Sequence, residues 1–135
     1  MDEARIEYAK ERLNNLPLAK LIGMRFVDMR PNEAVVAIEM RDDLKQPSGV
    51  MHGGVTATLI DTAMAFAVRT YLTDDEPTAT IDLTIHYLRP ITSGTATCIA
   101  KVVRPGKRIF TVSADVVDDD GKLIATGLST YTRIQ

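Results

Sequence analysis

The sequence predicts an α+β domain, a curved antiparallel sheet of about six strands wrapped around one long central helix. Three observations carry that prediction. Residues Gly53 to Leu72 run without a proline and place apolar side chains on nearly every helical face, the pattern of an enclosed helix. Four runs of strand character follow this stretch and two precede it, each bounded by turn residues. The connections among the later runs are short, which favours antiparallel pairing because parallel strands need long crossovers.

Taken in order, residues 2 to 15 set Ile6, Ala9 and Leu13 at helical spacing among charged neighbours and predict an amphipathic helix ending near Asn14-Asn15 and Pro17. Residues 1–17 are thus expected to be a peripheral helix on a single domain covering 1–135. Met24 to Arg30 and Glu33 to Met40 flank Pro31-Asn32 and predict a hairpin. The central helix buries Val55, Leu59, Ile60, Ala63, Met64, Phe66, Ala67, Val68 and Leu72, and Thr73-Asp74-Asp75-Glu76-Pro77 closes it. At about 20 residues it would be ~30 Å long. The remaining strands are Thr78 to Leu88, Thr95 to Val103, Arg108 to Val117 and Lys122 to Arg133. In the first of these, Ile81, Leu83, Ile85 and Tyr87 alternate with Thr80, Asp82, Thr84 and His86, which predicts two opposite faces.

Composition excludes several classes of function. Lys and Arg number 16 against 18 Asp and Glu, and there is no Trp, so neither a basic footprint nor aromatic platforms suggest nucleic-acid binding. The single Cys98 excludes an intramolecular disulfide and a cysteine metal cluster. The charged start and a longest apolar run of about six residues, Ala63 to Val68, predict a cytoplasmic protein without a membrane span.

The stretch that could carry chemistry is Gln46-Pro47-Ser48-Gly49-Val50-Met51-His52-Gly53-Gly54, which opens the central helix, with Asp61 inside it. Asp61 is the one charged side chain between His52 and Arg69, and a carboxylate in so apolar a segment needs partners. It is either a partnered structural residue or a functional one. Glycines at a helix start allow close approach, and the unpaired N–H groups of a first turn can hold an anion or a developing oxyanion.

These residues resemble the hotdog-fold acyl-CoA thioesterases of the phenylacetate-pathway (PaaI-like) type. The resemblance covers roughly residues 18 to 133 and rests on Gly49-Val50-Met51-His52-Gly53-Gly54 with Asp61 nine residues after His52. It continues through Ile81 to Pro90, Gly106-Lys107-Arg108 and Asp120 to Ala125. It implies that Asp61 is the catalytic carboxylate, as base or nucleophile, that the Gly53 N–H faces the thioester oxygen, and that His52 shapes the loop. Thr80 and Gln46 would position water or carbonyl. Gly54, Arg89, Pro90, Arg104, Gly106, Lys107 and Arg108 fall in segments that relatives use around coenzyme A. Gln46 is a departure, since phenylacetate-type members usually have Asn there. Hydroxybenzoyl and dihydroxynaphthoyl relatives have Gln, usually paired with Glu at the helix carboxylate.

Thioester hydrolysis needs an oxyanion site and an activated water or carboxylate nucleophile, and its thiolate leaving group, with a free pKa of ~8.5, needs little protonation. Gly53 and Asp61 are eight residues apart, ~12 Å along one helix, and cannot act on one carbonyl together. Two antiparallel copies of the helix in a two-fold dimer would bring Asp61 of one towards Gly53 of the other, so a homodimer or dimer of dimers is expected. No cofactor is called for, coenzyme A being part of the substrate. The alternative is a non-catalytic acyl-CoA-binding or regulatory module, motivated by Gln46; a dehydratase or hydratase on the same fold is a third reading.

Other residues read more simply. Cys98, mid-strand without a neighbouring base, reads as packing. His86 reads as a surface or inter-strand histidine, and two histidines make a poor zinc site. Asp118-Asp119-Asp120-Gly121 fails as a calcium loop, because Val116 and Gly127 stand at the required ligand positions. Arg104, Lys107 and Arg108 form either a solvated loop or a clamp for coenzyme A phosphates.

Overall fold

The computed structural model describes residues 1–73 and 75–134. Asp74, in the segment expected to close the central helix, lies outside the described residues, as does Gln135. The elements are α1 (Glu3–Asn14), α2 (Pro17–Ile22), β1 (Met24–Arg30), β2 (Glu33–Glu39), a 3-10 turn (Asp42–Leu44), α3 (Gly53–Arg69), β3 (Thr78–Tyr87), β4 (Thr95–Pro105), β5 (Ile109–Val117) and β6 (Leu123–Arg133). The strands form one antiparallel sheet in the order β1-β2-β4-β5-β6-β3, with α3 packed against it.

That order qualifies one expectation. Consecutive strands pair except at β3, which α3 delivers to the far edge beside β6 while β4 returns to lie beside β2. A short connection therefore does not make β3 and β4 neighbours. The edge position of β3 sets which side chains stand beside α3.

Leu59, Ile60, Ala63, Met64, Ala67 and Val68 of α3 are fully buried. Gly127 of β6 permits this close seat: a methyl group there would lie 3.3 Å from the Ile60 side chain and 3.4 Å from that of Met64. The helix is not enclosed all round, however. Gly54 is exposed, and Ala57, Thr58, Asp61 and Ala65 on the same face are partly exposed, so one flank of small and polar residues is left open.

The first helix proves less peripheral than expected. Asp2 accepts a hydrogen bond from the Arg5 N–H and caps α1, and Ala9 and Leu13 enter the core, Leu13 with no exposure. The Arg5 guanidinium donates to the carbonyls of Arg69 and Leu72, satisfying acceptors at the C-terminal end of α3. The short α2 has Pro17 in its first turn and ends at Gly23, whose φ of 82° is the left-handed cap that glycine adopts cheaply.

On β3 the strict alternation fails at one point. The register with β6 shifts between Thr80 and Asp82, so Ile81 is an inserted residue, 55% exposed. Leu83 and Ile85 pack on the core as expected, but beyond the bulge it is Thr80, not Ile81, that faces α3. An inserted residue switches strand parity, which a period-two reading cannot register.

Candidate active site

The chain enters α3 through a tight hairpin. The Gln46 N–H donates to the Val50 carbonyl and the Gly49 N–H to the Gln46 carbonyl, and Lys45 bridges Met51. Gly49, at φ 90°, supplies the left-handed residue of this three-residue loop. Gln46 steadies the turn further, its Oε1 accepting the Ser48 N–H at 2.6 Å. The amide NH2 is the end of that side chain left for the neighbouring cleft. The Met51 N–H donates to Ile91 and the His52 N–H to Leu44, which ties the loop to the sheet side.

His52 is the N-cap of α3, its Nδ1 accepting the Gly54 N–H at 2.9 Å, so the neutral ring carries its proton on Nε2. The Val55 and Thr56 N–H groups turn back to the His52 carbonyl. Gly53 is the first-turn residue whose N–H has no acceptor among the described residues. The geometry thus separates the two glycines: the Gly54 amide is engaged by His52, and the Gly53 amide is open at the positive end of the helix. Tyr87, at the end of β3, donates from its hydroxyl to the Gly53 carbonyl at 2.9 Å.

Beside Gly53 lies a cleft of about 330 Å³ whose wall includes Gln46, Met51, Thr56, Tyr87, Ile91 and Ile124. Arg89 and Pro90 line it too, Arg89 being exposed. An apolar wall with a cation near its mouth suits an acyl chain joined to an anionic carrier.

Asp61 sits two turns along α3. Its Oδ1 accepts hydrogen bonds from Thr80 Oγ1 at 2.8 Å and from the Tyr131 hydroxyl, which also lies 2.7 Å from the Asp61 carbonyl oxygen. Thr80 and Tyr131 are cross-strand partners on β3 and β6, so one sheet register delivers both hydroxyls. Burial, and then the adjoining Asp61 carboxylate, push the Tyr131 phenol well above its usual range, so it remains a donor at any working pH. The carboxylate expected either to be structural or to be functional is hydrogen-bonded, on a half-open helix flank.

The remaining predicted residues divide between the two ends of β3. Arg89 and Pro90 stand with Gly53. Arg104, Gly106, Lys107 and Arg108 belong to the β4–β5 hairpin, which the pairings Ile109↔Thr132 and Thr80↔Tyr131 put at the Asp61 end. Gly106 serves the turn, its N–H donating to the Ile109 carbonyl, and a methyl group there would meet that oxygen at 2.3 Å. Arg104, Lys107 and Arg108 are exposed. Cys98 is fully buried, and burial raises its thiol far above the usual range, which leaves it packing. Among the described residues no three His, Cys, Asp or Glu side chains gather as a metal site, and no helix is long and apolar enough to cross a membrane.

Sequence reasoning missed both tyrosine hydroxyls. Tyr87 carried a signal, since it closes the core-facing series on β3. Tyr131 carried none, because its contact with Asp61 spans 70 residues and depends on strand order.

Comparison with known proteins places this geometry. Residues 48–125, from the turn to the first residues of β6, match the model of the thioesterase superfamily. The chain is 26% identical over 107 residues to the 1,4-dihydroxy-2-naphthoyl-CoA hydrolase of Listeria monocytogenes, covering 79% of this chain and 87% of that protein. Its fold is similar to that of conserved protein PA5202 from Pseudomonas aeruginosa, with a TM-score of 0.87 and 31% identity over 93% of this chain and 99% of that one. It is also similar to the E. coli PaaI protein of the phenylacetic acid degradation operon, at TM-score 0.87 and 26% identity over 96% and 92%. With its hotdog sheet around α3 and the His52-Gly53-Gly54 turn at the helix start, the chain belongs to the thioesterase superfamily, among its PaaI-type members.

Proposed function

We propose that this protein hydrolyses acyl-CoA thioesters, aryl or aliphatic, as a homodimer or a dimer of dimers in which each site is shared between two chains. The observation that carries this reading is the presence, on one helix, of a hydrogen-bonded carboxylate at Asp61 and an unengaged first-turn amide at Gly53. They are eight residues apart on α3, ~12 Å, so they serve one carbonyl only if two helices contribute.

Two features support that assembly. The solvent side of edge strand β3 is an unpaired row of backbone groups, which a second β3 could satisfy. The open flank of α3, Gly54, Ala57, Thr58, Asp61 and Ala65, is small enough for a second α3 to approach. Antiparallel pairing of β3 centred near Leu83-Thr84 sets Thr80 opposite Tyr87 of the second copy. Asp61 then meets the Gly53 end of the other chain, and the basic β4–β5 hairpin of the first meets Arg89 of the second, a cationic rim for coenzyme A phosphates.

In such a site the thioester oxygen takes the Gly53 N–H, with the Gln46 NH2 a second donor, and the helix end favours the charge that develops there. Asp61 accepts a proton from water as the water oxygen bonds to the carbonyl carbon. Collapse of the tetrahedral adduct breaks the C–S bond, the electron pair leaves on sulfur, and the proton returns from Asp61 to the thiolate or to solvent. The products are the free acid and coenzyme A, and the residues named need no cofactor for this.

The test is free-thiol release from a panel of short aliphatic, long aliphatic, phenylacetyl and hydroxybenzoyl-CoA esters. Asp61→Asn is expected to lower turnover by about 10²- to 10⁴-fold, the range of general-base catalysis, with the fold retained. Turnover equal to wild type would sink the assignment. Saturable binding with no thiol release from any ester would move the protein to the acyl-CoA-binding class.

A further inference from the structure

We propose that Tyr131 is a positioning residue for Asp61: its hydroxyl, together with that of Thr80, occupies Oδ1 and so reserves Oδ2 as the oxygen that meets the reacting water or carbonyl. The proposal rests on the thioester-hydrolase reading. Its physical basis is the asymmetry of the carboxylate. Both donors converge on Oδ1, and no donor among the described residues lies on Oδ2. A carboxylate on a helix can rotate about its side-chain bonds, and two fixed donors on one oxygen remove that freedom.

Tyr131 is the firmer of the two donors. It is 2% exposed, sits on an interior strand opposite Phe110, and its hydroxyl contacts the Asp61 carbonyl oxygen as well as Oδ1. One phenol therefore registers both the backbone and the side chain of Asp61 to the sheet. Thr80 lies on the exposed edge and owes its inward direction to the Ile81 bulge. The neighbouring groups do not compete for the contact. Ser129, two residues before it on the same buried face of β6, donates to the Asp82 carbonyl, and buried Cys98 on β4 is a neutral thiol.

The test is Tyr131→Phe, which keeps the ring and removes the hydroxyl. Turnover of the best ester should fall about 10- to 100-fold, the scale of a misplaced catalytic group, with KM nearly unchanged. A merely structural tyrosine would lower the melting temperature and leave the kcat of the folded variant in place. In parallel, the ¹³C chemical shift of the Asp61 carboxyl carbon at pH 7, compared between wild type and variant, reads the same contact without any turnover. A displaced resonance supports the contact. An unchanged resonance overturns the proposal, and so does an unchanged kcat in an active enzyme. If wild type releases no thiol from any ester while the resonance is displaced, the functional reading fails and the role in its catalysis falls with it.

Discussion

The two ends of the open flank of α3 are built differently. At the Asp61 end the firmer donor is buried: a phenol on an interior strand, helped by an exposed threonine set inward by a bulge, holds one carboxylate oxygen. At the Gly53 end the contacts lie near solvent: an imidazole caps the helix, and Tyr87, 55% exposed, reaches the Gly53 carbonyl. A side chain that must present one oxygen needs rigid partners, because it has torsions to lose. A backbone amide is already fixed by the helix, so what it needs is to be left free. The buried end restrains, and the open end keeps one donor available for a ligand.

The largest effect should come from closing that open donor. Gly53→Pro removes the N–H while keeping the helix, because proline suits the first helical position and His52 before it already has φ −60° and ψ 133°. A methyl-sized group there lies 3.4 Å from the Tyr87 ring, an ordinary contact. Thiol release should fall about 10²- to 10³-fold, the cost of losing an oxyanion donor, with the melting temperature little changed. Mixed with Asp61→Asn chains by unfolding and refolding together, it should recover about a quarter of wild-type activity, since half the dimers are mixed and each has one intact site. No recovery would mean that the two ends do not meet across chains.

The two ends were not equally legible in the sequence. The His52-Gly53-Gly54 turn and Asp61 are near neighbours in one helix, so their motif and spacing expose the open end and the carboxylate. The long helix, the strands and their turns follow from periodicity and breakers. What stayed hidden depends on strand order and register. Tyr131 meets Asp61 only because β6 lies between β5 and β3, and Thr80 turns inward only because Ile81 is extra. The contribution of α1 to the core was underread for the same reason, since Arg5 finds its acceptors at the far end of α3.

A middle-sized effect should separate the buried end from the open one by alkali. The Cys98 thiol and the Tyr131 phenol are both held protonated in the fold by burial, whereas the unfolded chain releases those protons near pH ~8.5 and ~10. Above these values the unfolded state binds fewer protons than the folded one, so the stability is fully present below pH ~8.5 and declines as pH rises. The slope should be about 1.4 kcal/mol per pH unit for each group once it titrates. Urea midpoints measured from pH 7 to 10.5 check this. Cys98→Ala should flatten the first part of the decline and Tyr131→Phe the last. A midpoint independent of pH to 10.5 would contradict the burial of both groups.

The smallest effect belongs to the exposed tyrosine. Tyr87→Phe removes the bond to the Gly53 carbonyl but leaves the ring against the glycine and the cleft. Water can replace an exposed donor, so the loss should be about 1 kcal/mol or less, a few-fold in kcat. Because the Gly53 amide is oriented by the helix and the His52 cap, the pH profile should not move. That outcome, beside a loss of about 10- to 100-fold for Tyr131→Phe, would show that two hydroxyls donating to the same helix differ in effect through burial and target. A loss for Tyr87→Phe as large as that for Tyr131→Phe would reverse the contrast. It would mean that the Gly53 end is held by its contacts with the sheet and not by the helix cap.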